Sequence, residues 1–206
     1  VASRTGSNWS LIYGGSISRQ VRGKADDTGY NYGYLKNKTE FLTYASNLQT
    51  RQNVQSREDL DPGYDFYPDQ FSFNAGATSG KFILNYENEQ PLIQSFDDVT
   101  VTFEKENGKI ASFKVIDSQG NTFYYGVSKD GLRTAREYQT SVGWSIYFKG
   151  NVVDDPASTS SEIIYSSWKL MDIETPYGEL ISYNYNNIGN FVNYNKLYDK
   201  HDVTGT

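Results

Sequence analysis

Carboxylates are the most numerous side chains here that could do chemistry. Adjacent pairs occur at Asp26-Asp27, Asp97-Asp98 and Asp154-Asp155, and a glycosidase needs two such groups held across a sugar, one as acid and one as base or nucleophile. Sequence adjacency does not supply that geometry, because neighbours on a strand point to opposite faces. Ser158 to Ser161 lie in no G-x-S-x-G context and have no base nearby in sequence, so they do not read as a nucleophile. Gly14-Gly15 lacks the Lys-Ser/Thr of a phosphate-binding loop. One histidine, His201, leaves Ser-His-Asp triads and His-based metal sites poorly supplied, and the absence of cysteine removes thiol catalysis, Cys-zinc sites and disulfides. The residue pattern therefore points away from an enzyme and commits no catalytic residue.

Three groups of residues remain as candidates. Glu58, Asp59, Asp61, Asp65 and Asp69 fall within the run from Arg57 to Asp69 with two prolines, where oxygen ligands for a structural calcium could converge. Their spacing is not that of an EF-hand loop, and a solvated or Arg-capping acidic loop is the competing reading. Arg19 is the odd residue of the second, shared with Ile17 and Val21 on one face of a β-like run. Either its stem covers apolar surface at a sheet edge, or it points inward and pairs with a carboxylate; Asp69 is the expected partner. The third is aromatic: Tyr30, Tyr32, Tyr34, Tyr64 and Tyr67 could form a platform on which sugar rings stack, or they could cover a sheet.

The elements that must position these groups read as strands. Among 206 residues, 16% are aromatic, with 18 Tyr, 18 Gly and 5 Pro, a composition suited to pleated, half-buried surfaces broken by turns. Strands are expected near Ile17 to Val21 and over Phe71 to Phe73, Lys81 to Tyr86, Val99 to Glu104, Ile110 to Asp117, Thr122 to Val127, Gly143 to Lys149, Ile163 to Ile173 and Glu179 to Tyr185. Asn107-Gly108 between two alternating runs is a hairpin turn signal. Thr39 to Gln49, with Phe41, Leu42, Ala45 and Leu48 at helical spacing, offers the single helix. The expectation is one all-β domain over residues 1–206, antiparallel sheets forming a sandwich or curled sheet with one short inserted helix. No run approaches 18 apolar residues, so no membrane span is expected. The formal net charge of -6, with 19 Lys and Arg scattered among 25 acids, argues against nucleic acid as a partner. Val1-Ala2-Ser3-Arg4 is neither an initiator Met nor a signal peptide, so a mature, processed or excised chain is expected.

Two windows echo one another, Asp117 to Gly126 and Glu174 to Asn190, each a Gly turn followed by a strand ending in tyrosines. A strand, a D-x-x-G-N turn and a Y-x-Y strand followed by Y-D-x-x-G resembles the YD repeat of RHS proteins. Tyr185-Asn186-Asn187-Ile188-Gly189 matches its last element with Asn in place of Asp. The N-terminal stretch is similar to the segment preceding the repeats in large exported Bacteroidetes members, through Ala2, Ser3, Gly6, Trp9, Ser10, Leu11, Gly14, Gly15, Ile17, Arg19, Val21, Arg22 and Gly23. Asp65, Pro68, Asp69, Phe71, Phe73, Asn74, Ser79, Gly80, Lys81 and Phe82 fit a following motif. Arg4, Ser7-Asn8 and Ile12-Tyr13 depart from the pattern. The resemblance implies a non-catalytic segment of a secreted or cell-surface bacterial shell, with YD-type repeats starting in 175–206. Its partners would be the rest of its own polypeptide and an encapsulated C-terminal effector. The alternative is an aromatic-rich glycan-binding β-module.

Overall fold

The computed structural model describes residues 14–27, 34–35, 67–141 and 162–186. Within them the chain is all-β, and no helix occurs among the described residues. The ten strands are β1 (Ser16–Gln20), β2 (Gln70–Ala75), β3 (Thr78–Leu84), β4 (Pro91–Ser95), β5 (Thr100–Glu106), β6 (Lys109–Ile116), β7 (Thr122–Tyr125), β8 (Arg136–Ser141), β9 (Glu162–Glu174) and β10 (Leu180–Ser182). The helix expected over Thr39 to Gln49 and the strand expected over Gly143 to Lys149 lie outside the described residues.

All pairings are antiparallel, in the order β4-β3-β2-β1-β9-β7-β6-β5, with β8 and β10 also paired to β9. The 13-residue β9 carries β8 and then β7 along one edge, and β1 and then β10 along the other. Register shifts at Glu104/Lys105, Tyr124/Tyr125 and Glu137/Tyr138 add the local twist and bend that bulges impose. The sheet curls until its two ends approach, and Lys105 of β5 reaches Glu89, just before β4, at 2.5 Å. The result is a nearly closed, barrel-like curl.

Alternation places the core inside. In β2 Phe71 and Phe73 are buried, and in β6 Ile110, Phe113 and Val115. Phe71 stacks on Phe82 at 4.9 Å, and Phe113 meets Trp168 edge-on at 4.9 Å. Each fully buried side chain of this size contributes roughly 1.5–3 kcal/mol, and each good ring pair about 0.5–1.5 kcal/mol more. Trp168 donates from Nε1 to the Ile110 carbonyl at 3.1 Å, so its one polar atom is satisfied. Gly126 lets the chain pass this ring. A Cβ there would sit 2.6 Å from Trp168 Cδ1, and its φ is +81°.

The turns follow local chemistry. Asn107 and Gly108 take φ of 52° and 80°, the pair of positive values that a tight hairpin with the right strand twist needs. The two echoed turns share one hydrogen-bond pattern. In one, Asp117 N–H donates to Asn121 O and Gly120 N–H to Asp117 O; in the other, Thr175 N–H donates to Glu179 O and Gly178 N–H to Thr175 O.

Candidate functional site

Two charge clusters dominate the described residues. The first is built on β1, where Ile17 and Arg19 are buried between exposed Ser18 and Gln20. Arg19 pairs in register with Phe71, and its guanidinium carbon stands 5.5 Å from the Phe71 ring centroid. The structure brings Arg19 and Asp69 together: Nε donates to Asp69 Oδ2 at 2.6 Å. Nη2 lies 2.5 Å from that same oxygen but off a hydrogen-bonding line. Nη1 donates to Asp27 Oδ1 at 2.7 Å.

The carboxylates are also saturated from the main chain. Asp27 Oδ2 accepts Ile110 N–H at 2.8 Å, Asp69 Oδ1 accepts Arg22 N–H at 2.9 Å, and Asp69 Oδ2 accepts Asp26 N–H at 2.9 Å. Asp26 returns the last bond by accepting Asp69 N–H at 3.1 Å. The cluster thus ties β1, the 25–27 turn, the lead into β2 and the start of β6. All four charged residues are buried. Burial pushes the Asp69 carboxyl above its ordinary range, against Arg19 and two N–H donors that pull it down. Burial alone would lower Arg19, but Asp27 and Asp69 hold its guanidinium above its ordinary value.

The second cluster anchors the connection from β7 to β8. Ser128 N–H donates to Arg133 O and Gly131 N–H to Ser128 O, both at 2.9 Å. Asp130 Oδ1 accepts the Ser128 hydroxyl at 2.5 Å and Leu132 N–H at 3.0 Å. Asp172, inside β9 and 1% exposed, accepts Lys129 N–H and Arg133 Nη2, both at 2.7 Å. Arg133 Nη1 also donates to Tyr183 O and Asn184 Oδ1 at 3.0 Å each. Burial would raise the Asp172 carboxyl, but hydrogen bonds from Ser182, Lys129 N–H and Arg133 hold it below its ordinary range. A surface loop pinned this heavily presents its side chains from a fixed frame.

That frame walls a groove of about 230 Å³ over the outer face of β5, β6 and β7. Thr102, Lys114 and Tyr124 are successive register partners across it, with Glu104 opposite Ser112 one pair further along. Tyr124 Oη donates to Glu174 Oε2 at 2.9 Å, and Lys129 Nζ to Glu174 Oε1 at 2.7 Å. Burial and Glu174 push the Tyr124 hydroxyl up to about 12.

The other sequence candidates fall as follows. Tyr34 is corrected: it is only 5% exposed, belongs to the core and meets Tyr86 edge-on at 6.4 Å, so it offers no open face for a sugar. Tyr67 is exposed, while Tyr30, Tyr32 and Tyr64 lie outside the described residues. So do Glu58, Asp59, Asp61 and Asp65 of the proposed calcium loop, Asp154-Asp155, Ser158 to Ser161 and His201. The fifth acid of that loop, Asp69, is taken up by Arg19 and main-chain donors. Among the described residues no group of His, Cys, Asp and Glu could hold a metal ion, and no helix is long and apolar enough to cross a membrane. Sequence reasoning did not find Asp26 and Asp27 as partners of the Arg19–Asp69 pair, nor the Arg133–Asp172 clasp. An Asp inside the apolar run Leu170-Met171-Asp172-Ile173 was the available signal. Comparison of the chain with known protein families, with curated proteins and with solved structures returns no match.

Proposed function

We propose that this chain is a non-catalytic structural segment of a larger RHS/YD-repeat shell protein, secreted or displayed at a bacterial surface, whose partners are further strands of its own polypeptide and an enclosed C-terminal effector. The observation that carries this reading is the outer edge of β10, which pairs with no further strand among the described residues. Leu180, Ile181 and Ser182 are all exposed, as are Tyr177 and Tyr185, so both faces of the strand are bare although neighbouring side chains point opposite ways. The other edges carry protection: β5 has Glu104, Lys105 and Glu106, β8 has Arg136 and Glu137, and β4 opens with Pro91. Charge and proline at an edge deter pairing with another strand, and an uncharged apolar edge invites it. The two buried charge clusters support a structural role as well, because their carboxylates are occupied by guanidinium and main-chain donors.

The test compares amide exchange at Leu180, Ile181 and Ser182 in this chain and in the longer parent polypeptide. Exchange slowed at least about tenfold in the parent, an opening cost of ~1.4 kcal/mol, is the expected outcome. Equal exchange, or a parent reading frame without further Y-D-x-x-G repeats, sinks the shell reading.

A further inference from the structure

We propose that the outer edge of β10 takes a strand patterned like β9, running antiparallel to β10 with an apolar side chain opposite Ile181. The inference rests on the shell reading for the source of that strand, the rest of the same polypeptide, and adds which sequence the edge accepts and in which register. The first ground is that the sheet contains the same hairpin twice. Lys114, Val115 and Ile116 face Tyr124, Phe123 and Thr122, as Asp172, Ile173 and Glu174 face Ser182, Ile181 and Leu180. Their turns share one hydrogen-bond pattern, with Gly120 at φ 84° and Gly178 at φ 85°. In the first copy the outer edge of the return strand, β7, is taken by β9, with Thr122, Phe123 and Tyr124 opposite Glu174, Ile173 and Asp172. In the second copy the return strand is β10, whose outer edge pairs with no strand among the described residues.

The second ground is a row of side chains that runs off the sheet. Val101, Val115, Phe123, Ile173 and Ile181 are successive cross-strand partners from β5 to β10, so they share the core face. The first four are at most 5% exposed, whereas Ile181 is 52% exposed. The backbone is oriented to match. Thr175 N–H donates to Glu179 O and Tyr183 N–H to Met171 O, so the odd-numbered residues of this strand address β9. Leu180 and Ser182 therefore turn their N–H and C=O groups to the outer edge, by the alternation of an antiparallel ladder. From Leu180 to Asn186 the chain carries no charge and no proline, so neither of these edge-blocking devices operates there. An apolar side chain opposite Ile181 would continue the buried row, and its burial supplies the affinity. The flanking positions, Glu174 and Asp172 in β9, fall on the opposite face, which leaves the partner free to be polar there.

The experiment titrates the full 206-residue chain with a synthetic peptide of residues 167–174, the β9 sequence Ser-Trp-Lys-Leu-Met-Asp-Ile-Glu, following backbone amide resonances. Saturable shifts at Leu180, Ile181 and Ser182 are expected. The peptide carrying Ile173→Asp should bind at least about tenfold more weakly, because it loses one buried apolar side chain and sets a charge on the core row. Ile181→Asp in the protein should weaken the unaltered peptide equally. Leu92→Asp, at an exposed position of β4 at the far end of the sheet, should leave binding unchanged, and both variants should keep the dispersed amide spectrum of the folded chain. Should Ile181→Asp lose that spectrum, Ile181→Ser replaces it with the same expectation. No saturable shift, shifts centred on another strand, or equal binding by the Ile173→Asp peptide overturns the proposal. Slowed amide exchange in the longer parent without peptide binding keeps the shell reading and removes this one; peptide binding with unslowed exchange in the parent does the reverse.

Discussion

The Arg19 and Arg133 clusters solve the same problem, an arginine placed against a sheet carboxylate, under different conditions. Arg19 and its partner Asp69 have side chains fully shielded from solvent, while Arg133 keeps 31% of its side chain exposed against an Asp172 side chain at 1%. At Arg19 three buried carboxylates crowd one guanidinium, so desolvation dominates and Asp69 is pushed up. At Asp172 one carboxylate meets several donors with solvent near its arginine, so hydrogen bonding dominates and the group is pulled down. A buried ion pair is weak evidence for added stability, yet removing one partner is costly because the other charge stays stranded. The Arg19 cluster is therefore the point where the fold is most sensitive, and the Arg133 clasp the point where it is adjustable.

The largest expected effect is from Arg19→Ala. It strands Asp27 and Asp69 and should cost about 3–5 kcal/mol in chemical unfolding; a cost below about 1 kcal/mol would mean that the cluster relaxes to solvent, and the contrast fails. Arg133→Ala comes next, at about 1–3 kcal/mol, because Asp172 keeps Lys129 N–H and Ser182 as donors. If it equals Arg19→Ala, exposure is not what separates the two sites.

The smallest effect is a difference of sign with pH. Asp69, raised above its ordinary 3.8, contributes stability that is whole below that value and lost as pH rises through its folded value. Asp172, lowered below 3.8, contributes stability that is whole above that value and lost as pH falls through its folded value. The deficit of Asp69→Asn should therefore narrow as pH rises above about 4, and that of Asp172→Asn should narrow as pH falls below about 4. Urea midpoints measured across this range check it; deficits that move in the same direction would show that one field governs both clusters.

Much of the sheet was legible because local rules and tertiary demands agree there. Strands β5 and β6 alternate cleanly around Asn107-Gly108, whose positive φ values only a few residue types accept. Strand β4, with Pro91 at its start, and the polar β8 were missed, since neither shows a strong apolar period and β8 owes its state to the edge of β9. The groove was illegible for a related reason. Lys114 and Lys129 are ordinary surface residues in sequence, and only the antiparallel return of β6 and β7 and the pinned loop put them on one surface.

By itself the sequence determined the strand-and-turn alphabet, and it singled out Arg19 as the charge sharing a face with Ile17 and Val21, because alternation is a property of any strand, while leaving open whether that charge points inward or its stem covers a sheet edge. Only the tertiary structure decided which groups answer that charge. Asp27 and the Ile110 N–H come from segments 83 residues apart, and Asp26 closes the set because it and Asp69 each donate a main-chain N–H to the other's carboxylate. Long-range partners of a buried charge are chosen by the curl of the whole sheet, since nothing in the local chain records which distant backbone will arrive beside it.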